Sequence, residues 1–294
     1  MYPVASVPAS LEVRQSPSIK PTVGTWQFKG CYQDFGPRVL TFRFDVPAGN
    51  SAQRCTDICS SNGYGLAGLE YGTECWCDNY KPYGALRPNS ECNTICPGDS
   101  SEYCGAGNRL VLYQNSAATP PSTSTCITWR DSFSFGNNIL EAIPKTGSGP
   151  VTQLFSIPTN PFTDPIYYTI ISTCPPGCVY TDYYNFGLVN NALTNYNNRP
   201  IAPVVGSSQA FIFRWPQDYP SHTGYCAKPN PISPDGPFIG KPLLSVNGNT
   251  NLWGLCPNTT ASGRLDIVYS PVANHAHYDI DDCQDVYIQL APYA

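Results

Sequence analysis

Cysteine is the residue type whose number and spacing are most distinctive in this chain. The 294 residues include 14 cysteines, and their thiols could either bind zinc or form disulfides. The pairs Cys55/Cys59 and Cys92/Cys96 have a spacing that structural zinc sites allow. An even number of cysteines on each side of Tyr113 instead favours disulfides formed in an oxidising compartment. We therefore predict that all of the cysteines are disulfide-bonded: Cys31, Cys55, Cys59, Cys75, Cys77, Cys92, Cys96, Cys104, Cys126, Cys174, Cys178, Cys226, Cys256 and Cys283.

Two of the three histidines, His275 and His277, lie in one short segment that could bind a metal ion. On a strand, these two side chains and Asp279 would share a face, which suits copper or zinc and would suggest an oxidoreductase or hydrolase that uses one of these metals. Asn274, however, marks a loop, and the sequence identifies no further ligand. We therefore predict a solvent-exposed strand end with no metal site and no cofactor, and keep His275 and His277 as weak metal candidates.

The sequence contains no recognisable catalytic motif. A nucleophile elbow of the Gly-x-Ser-x-Gly type, a phosphate-binding loop and a dinucleotide fingerprint are all missing from it. A pair of carboxylates for glycoside hydrolysis stays open, because such residues converge from distant positions. We predict no catalytic residues and a protein that is not an enzyme, with the C-terminal half left open.

A group of residues around Trp76 has the chemistry of a carbohydrate site. Sugar rings present apolar C–H faces and hydroxyls, so binding them requires an exposed aromatic ring beside short polar side chains. On a strand, Trp76 points away from the face that Cys75 and Cys77 share, so it faces outward or into a groove if the sulfurs face the core. The alternative is that Trp76 caps the small core and Tyr71 packs over a helix. The candidate glycan-binding residues are Trp76, Tyr71, Glu70, Asp78, Asn79, Tyr64 and Tyr83, with Asn108 and Arg109 as weaker candidates.

Two further segments suggest surface roles. Asn258-Thr259-Thr260 matches the N-glycosylation pattern, so we predict a glycan on Asn258 in a surface loop. The stretch from Tyr183 to Asn198 is dense in Tyr and Asn, a chemistry that suits sugars or a protein interface. The alternative for this stretch is a long ordered surface loop.

Composition limits the partners and the cellular location. Only 13% of residues are charged and the net charge is −5, so nucleic acid is not an expected partner. No apolar run of about 18 residues occurs, so no membrane span is predicted. The cysteines indicate a secreted protein, yet the first residues do not resemble a signal peptide, and we infer that the native signal peptide has been removed.

The N-terminal third predicts a small domain that combines one helix with a short antiparallel sheet. Residues 1–25 form an extended arm, and the domain covers residues 26–114. A helix is expected from Ser51 to Asn62, capped by Asn50, with Cys55 and Cys59 on its inward face. Strands are expected at 65–71 and 74–77, and a strand at 109–113 should return beside residues 26–28.

The C-terminal region predicts an all-β domain. Residues 115–125 are rich in Ser, Thr and Pro and form the linker, and the second domain covers residues 126–294. Short alternating apolar segments and the 30 prolines and 24 glycines indicate a β-sandwich or jelly roll, so the whole protein is expected to be mainly β and rich in disulfides. The expected strands are 151–157, 166–172, 210–215, 243–246, 264–269 and 286–290.

The first domain resembles the WSC family, the small carbohydrate-binding modules of fungal wall proteins. The resemblance rests on the eight N-terminal cysteines together with Tyr71-Gly72, Glu74-Cys75-Trp76-Cys77 and Pro97-Gly98-Asp99. It implies four disulfides, no catalytic activity and binding of wall polysaccharides such as β-glucan, chitin or xylan. Asp78 and Ala106 replace glycines that are common in the family, and Asp78 lies beside the expected ligand face.

Together these observations predict a secreted, wall-associated protein of fungal type that binds polysaccharide through its WSC domain without catalysis. The first alternative is a structural protein that assembles with itself into a wall or surface layer, using the arm and the Tyr/Asn-rich segment. The second alternative is the carbohydrate-active metalloenzyme in the C-terminal domain.

Overall fold

The computed structural model describes residues 16–35, 38–127, 138–146, 149–159, 168–179, 184–194, 199–208, 212–213, 220–261 and 263–292. Its contacts group the chain into two compact units. The first unit comprises residues 1–35, 43–78 and 85–118, and the second comprises 36–42, 79–84 and 119–294. Residues 1–15 of the expected arm, Tyr183, and residues 195–198 of the Tyr/Asn-rich segment lie outside the described residues.

The described chain is mainly β, as predicted. The strands of the N-terminal region and its helix are β1 (Thr22–Val23), β2 (Trp26–Gln33), β3 (Phe42–Phe44), α1 (Ala52–Ser61), β4 (Leu66–Glu70), β5 (Glu74–Asp78), β6 (Leu86–Arg87), β7 (Ile95–Cys96), β8 (Asp99–Tyr103) and β9 (Arg109–Asn115). The strands that follow are β10 (Asn138–Pro144), β11 (Thr152–Pro158), β12 (Tyr168–Ser172), β13 (Gly187–Val189), β14 (Ala192–Thr194), β15 (Arg199–Pro200), β16 (Ile212–Phe213), β17 (Tyr225–Lys228), β18 (Leu243–Val246), β19 (Trp253–Pro257), β20 (Leu265–Tyr269) and β21 (Gln284–Pro292).

The main sheet of the first unit has the strand order β1-β2-β9-β4-β5-β3, with β6 also paired to β2. Strand β9 is antiparallel to both of its neighbours. Its Tyr113 pairs with Phe28 of β2 on one side and with Ala67 of β4 on the other. This confirms the predicted return of the last strand beside the first. Strands β4 and β5 form the predicted hairpin, closed by a turn at Tyr71, Gly72 and Thr73.

Helix α1 covers the cysteine-bearing face of this sheet. Its N-cap is Ser51, whose hydroxyl accepts a hydrogen bond from the Arg54 backbone N–H. The expected cap, Asn50, was wrong by one residue, and its amide instead donates to the Glu74 carbonyl at 2.9 Å. After the helix, Gly63 adopts a left-handed conformation with φ of 78°, which a β-carbon would disfavour.

Four disulfides hold the first unit together. Cys55 and Cys59 on the helix reach Cys75 and Cys77 on β5, each across a Cα–Cα distance of 5.4 Å. Both helix cysteines are fully buried, so the predicted inward face is confirmed. The four bridges are Cys31–Cys92, Cys55–Cys75, Cys59–Cys77 and Cys96–Cys104, the number that the family resemblance implied.

The second unit is built around a closed circuit of six antiparallel strands, a barrel or sandwich-like region. The circuit runs β10-β11-β12-β20-β19-β21, and β21 pairs back with β10 from Asn138↔Pro292 to Pro144↔Val286. Strand β18 continues from β21, and β17 pairs with β18. The expected strands at 151–157, 166–172, 243–246, 264–269 and 286–290 are confirmed with small shifts of their ends. Of the strand expected at 210–215, the described part is Ile212–Phe213.

Apolar side chains fill this second unit. Leu140, Trp253 and Ile288 are among its fully buried residues, and the Trp253 and Tyr269 rings meet edge to face at 5.1 Å. The remaining disulfides are Cys126–Cys226, Cys174–Cys178 and Cys256–Cys283, so all fourteen cysteines are paired, as predicted. Over the described ranges, no helix has the length and apolar character that a membrane span requires.

Part of the Tyr/Asn-rich segment forms a tight hairpin. Strands β13 and β14 pair from Gly187↔Thr194 to Val189↔Ala192. The two residues between them, Asn190 and Asn191, both have positive φ, at 49° and 61°. Asparagine tolerates this conformation better than most residues, and two such residues in succession match the twist of a two-residue hairpin. Asn190 and Asn191 therefore have a local structural role at this turn.

Candidate functional site

The turn between β4 and β5 presents an exposed aromatic ring. Tyr71 is 66% exposed, although a tyrosine buries much apolar surface when it can. Its backbone is in the left-handed region at φ 53°, where a bulky side chain costs about 1–2 kcal/mol. The surrounding structure fixes this conformation: the Tyr71 N–H donates to the Ala106 carbonyl at 3.2 Å, and the Gly72 N–H donates to the Cys104 carbonyl at 2.9 Å.

The loop from Gly105 to Asn108 lies against this turn. Gly105 has φ of 72°, and a β-carbon there would collide with backbone atoms of Leu69, Glu70 and Arg109. Gly107 lies beside the Tyr71 ring, where a β-carbon would be 3.8 Å from the ring edge, an ordinary contact distance. It is Gly105 that allows the loop to approach the turn closely. Disulfide Cys96–Cys104 anchors the chain just before the loop.

Exposed short polar side chains occur in the Tyr71 turn and in the loop that is hydrogen-bonded to it. Thr73 is exposed in the same turn, and Asn108 is exposed in the neighbouring loop with a left-handed backbone at φ 56°. Arg109, the next residue, directs its guanidinium to the Glu91 carboxylate and to the Asn108 carbonyl, so this candidate side chain is held in an ion pair. An exposed ring beside hydroxyl and amide groups can stack on a sugar face and satisfy sugar hydroxyls.

Trp76 is placed differently from the expectation. Cys75 and Cys77 face the core and Trp76 points the other way, as the strand alternation predicted, but only 6% of Trp76 is exposed. Its indole N–H donates to the Glu74 carboxylate at 3.0 Å, and Glu74 also contacts the Arg43 guanidinium at 3.2 Å. The expectation of an open ring is thus corrected, because both faces of β5 are buried from Cys75 to Asp78. A strand that is buried on both sides cannot present a platform.

The other candidate residues are distributed over several places. Glu70 and Asp78 are buried. Tyr64 is half-buried against Phe44, with ring centroids 6.0 Å apart, and burial followed by the charge of Asp78 raises its pKa. Tyr64 is therefore close enough to Asp78 to feel its charge, and its ring is not fully exposed.

Asn79 and Tyr83 belong to the second unit. Asn79 is half-buried, and Tyr83 is almost fully buried, where its hydroxyl donates to the Asn138 side-chain carbonyl at 3.2 Å. Burial holds the pKa of Tyr83 well above its usual value. Of the seven candidates, the structure leaves Tyr71 as the exposed ring, and glycan binding by all seven stays a prediction.

One exposed aromatic residue escaped the sequence reasoning. Phe35 is 71% exposed and follows β2 directly after the buried Asp34. The signal that could have found it is its position before Gly36-Pro37, since a residue that enters a Gly-Pro turn rarely reaches the core.

The histidine segment forms a loop, so the predicted strand end is corrected. The His275 ring stacks on Tyr278 at 4.2 Å, and its Nδ1 accepts the His277 backbone N–H at 3.2 Å. His277 Nδ1 lies 3.3 Å from the Thr260 hydroxyl. Asp279 caps the short 3₁₀ helix Ile280–Asp282 rather than facing the histidines as a third ligand. The His275 and His277 ring centroids remain 5.6 Å apart, but over the described ranges no third ligand-type side chain completes a group with them.

The metal alternatives for the cysteines also find no support. Within the described ranges, the one group of three ligand-type side chains in mutual reach is Cys55, Cys59 and Cys75. All three sulfurs are committed to disulfide bonds. A disulfide sulfur lacks the thiolate charge that zinc requires.

The predicted glycosylation residue Asn258 lies in a compact polar turn. Its side-chain carbonyl accepts the Thr260 backbone N–H at 2.8 Å and its amide donates to the Asp266 carboxylate at 2.6 Å. Asp266 is buried and also binds the Ser172 hydroxyl and the Arg264 guanidinium. Glycosylation of Asn258 stays a prediction, and the folded turn already uses the amide that would carry the glycan.

Comparison with known proteins identifies the segment that holds Tyr71. The WSC domain family model matches residues 28–106, so this segment is a WSC domain. A WSC domain-containing protein of Arthroderma benhamiae is 37% identical over 173 residues, which cover 56% of this chain and 16% of that protein. Kremen protein 1 of Xenopus laevis is 36% identical over 90 residues, covering 29% and 20%. Xylosyltransferase oxt of Drosophila melanogaster is 35% identical over 107 residues, covering 33% and 12%.

These relatives share only a part of their length with this chain. The matched segment spans at most 20% of each of the three proteins. Their names describe different whole proteins, so similar segments occur in several protein contexts.

Proposed function

We propose that this protein is secreted, associates with a fungal-type cell wall and binds wall polysaccharide without catalysis, through the surface around Tyr71. The observation that carries the proposal is an exposed tyrosine held in a left-handed backbone conformation beside Thr73 and Asn108. The WSC family is a carbohydrate-binding family, which agrees with this chemistry.

Rigidity is the physical argument for a binding role. A left-handed bulky residue persists only where its neighbours determine the backbone, and here two backbone hydrogen bonds and the Cys96–Cys104 disulfide do so. A backbone fixed in advance leaves only side-chain torsions of Tyr71 to be ordered on binding, so more of the stacking energy remains as affinity. The exposed position itself has no packing benefit that would explain the tyrosine.

The charge distribution favours a neutral ligand. The chain carries a net charge of −5, and the arginine nearest to the Tyr71 turn in strand register, Arg109, is paired with Glu91. Long-range attraction of an acidic polysaccharide is therefore not expected. Uncharged β-glucan, chitin and xylan match this surface, and their binding should depend little on salt.

Secretion and wall association are supported by the covalent chemistry. Seven disulfides with no free cysteine require an oxidising compartment to form and persist. The Asn258 pattern and the Ser/Thr/Pro-rich segment at 115–125 are compatible with glycosylation on the same route.

A retention assay on insoluble β-1,3-glucan, chitin and xylan tests the proposal. We expect retention of the wild-type protein on at least one polysaccharide and loss of most of it in Tyr71→Ala. Tyr71→Phe keeps the ring and should retain most binding. Leu86→Ala removes a side chain that is 65% exposed on β6, opposite Tyr32 of β2, and should have no effect. Retention on none of the three, or equal retention of Tyr71→Ala, would contradict the proposal.

A further inference from the structure

Three adjacent strands of the first unit end at the same edge of its sheet. Strand β9 lies between β2 and β4, with Gln33 opposite Arg109 on one side and Glu70 opposite Leu110 on the other. The chain leaves this edge at Phe35 after β2 and at Tyr71 after β4, and it enters β9 through Asn108.

Backbone hydrogen bonds connect the three exits to one another. The Asp34 N–H donates to the Asn108 carbonyl at 3.1 Å, which fixes the chain just before Phe35. The Tyr71 N–H donates to the Ala106 carbonyl at 3.2 Å, which fixes the other side of the same loop. Phe35, Asn108 and Tyr71 are therefore positioned by one continuous backbone network.

The two aromatic residues in this row stand out by their exposure. Over the ranges that the structure describes, Phe35 and Tyr71 are the only Phe, Tyr or Trp side chains that are classed as exposed. Phe35 follows the buried Asp34 and Tyr71 follows the buried strand β4, so their exposure at one sheet edge places two large apolar surfaces in water. Asn108, whose side chain is exposed, precedes β9, the strand that lies between β2 and β4.

The strand spacing sets the length of a ligand that could use both rings. Neighbouring strands are about 4.8 Å apart, so the ends of β2 and β4 are separated by about 10 Å across β9. A linear oligosaccharide can span this distance, with one sugar on each ring and the hydroxyls between them near the amide of Asn108.

We propose that Phe35, Asn108 and Tyr71 form an extended binding row for an internal stretch of a neutral, linear polysaccharide chain. This inference rests on the proposed function and adds to it the second aromatic subsite at Phe35 and the requirement for a chain. A site of this kind gains affinity with chain length, because a disaccharide reaches one ring and a longer chain reaches both.

Titration calorimetry with soluble oligosaccharides tests the row. The probes are the disaccharide and hexasaccharide of β-1,3-glucan, chitin and xylan, applied to the wild type, Phe35→Ala, Tyr71→Ala and the control Leu86→Ala. We expect the wild type to bind a hexasaccharide about tenfold more tightly than its disaccharide, and each aromatic variant to lose that gain. Leu86→Ala should bind as the wild type does.

The outcomes separate the row from the proposed function. Hexasaccharide binding that Tyr71→Ala weakens and Phe35→Ala leaves unchanged would overturn the row while the function stands. An equal loss in Leu86→Ala would also overturn it, since the effect would then not belong to the aromatic pair. If the wild type binds neither insoluble polysaccharide nor any hexasaccharide, the proposed function fails and the row fails with it. Because both aromatic side chains are exposed, thermal unfolding should be unchanged in the variants.

Discussion

The two units of this protein solve the same problem of stability by different means. Eight cysteines are part of the buried core of the first unit, where they pack with Val23, Trp26 and Tyr113. The main core of the second unit contains no cysteine and is made of aliphatic and aromatic side chains. Small units bury a smaller share of their surface, so cross-links replace apolar packing in the smaller of the two.

This difference affects what the surfaces can do. A core fixed by covalent bonds tolerates glycine-rich loops and a left-handed tyrosine at its edge, because the bridges and not the loops provide the stability. In the second unit, the single strand β21 pairs with three others, β10, β18 and β19. The folded state of this unit therefore depends on continuous hydrogen bonding and packing. We therefore expect the first unit to respond most to loss of disulfides and the second to loss of packed volume.

The largest effect is expected from a cavity in the second unit. Trp253→Ala removes a fully buried side chain that meets Tyr269 edge to face, and such truncations cost about 3–5 kcal/mol. Chemical unfolding should show this loss in the transition of the second unit. The matched control is Leu252→Ala at the preceding position. The Leu252 side chain is exposed, so its removal should cost little stability. A loss below about 1 kcal/mol in Trp253→Ala would contradict a packing-based core.

Removing one bridge of the first unit should have the next largest effect. The double variant Cys55→Ala/Cys75→Ala opens a loop with a sequence separation of 20 and leaves a gap in the core, so we expect a loss of about 3 kcal/mol or more. The control Cys174→Ala/Cys178→Ala opens a loop with a separation of 4 whose cysteines are partly exposed. Its expected loss is about 2 kcal/mol or less. Equal shifts in the unfolding midpoint of the two variants would mean that burial of the bridge does not matter.

A buried carboxylate at the start of α1 sharpens the comparison, because it is a polar contribution to the first unit. Glu102 is buried, accepts the Ala52 N–H at 2.9 Å and forms an ion pair with Lys20. Glu102→Ala removes both interactions and should cost about 2 kcal/mol. Glu102→Gln keeps an acceptor for the helix N–H and should cost about half as much. If the two variants lose the same stability in urea, the ion pair and not the helix contact carries the effect.

The positions of many strands could be predicted from sequence much better than the exposure of the site. Period-2 patterns predicted β20 and β21, and the Cys75-Trp76-Cys77 alternation correctly predicted which side chains face the disulfide core. The same alternation could not show that the opposite face of β5 is buried as well, because alternation gives direction and not what lies in that direction. Tyr71 is among the seven candidates, whereas Phe35 is not, because the prediction followed the cysteine-rich motifs and gave no weight to the Gly36-Pro37 pair after Phe35.

The Tyr/Asn-rich segment and the histidine segment show a second limit of prediction from sequence. Their residue types suit sugars or metals, but the structure uses Asn190 and Asn191 in a hairpin turn and His275 in a stack on Tyr278. A hairpin turn and a ring contact therefore account for these residues without a ligand. The φ angle of a residue and the loop that packs against it depend on the folded structure, and the spacing of residues in the sequence contains neither.

The smallest expected effect is a pH dependence that belongs to the first unit. Hydrogen bonds from the Ser101 hydroxyl and backbone N–H lower the pKa of Asp99 from 3.8 to about 2, with Lys20 nearby. Because the folded pKa is depressed, the stabilising contribution is present above pH 4 and is lost as the pH falls through about 2. Asp99 is partly exposed, so the contribution is small. Asp99→Asn keeps an acceptor oxygen without the titration, so the stability difference between wild type and variant should narrow between pH 5 and pH 2. A difference that stays constant over this range would show that the Asp99 turn does not contribute to the acid response of the disulfide-bonded unit.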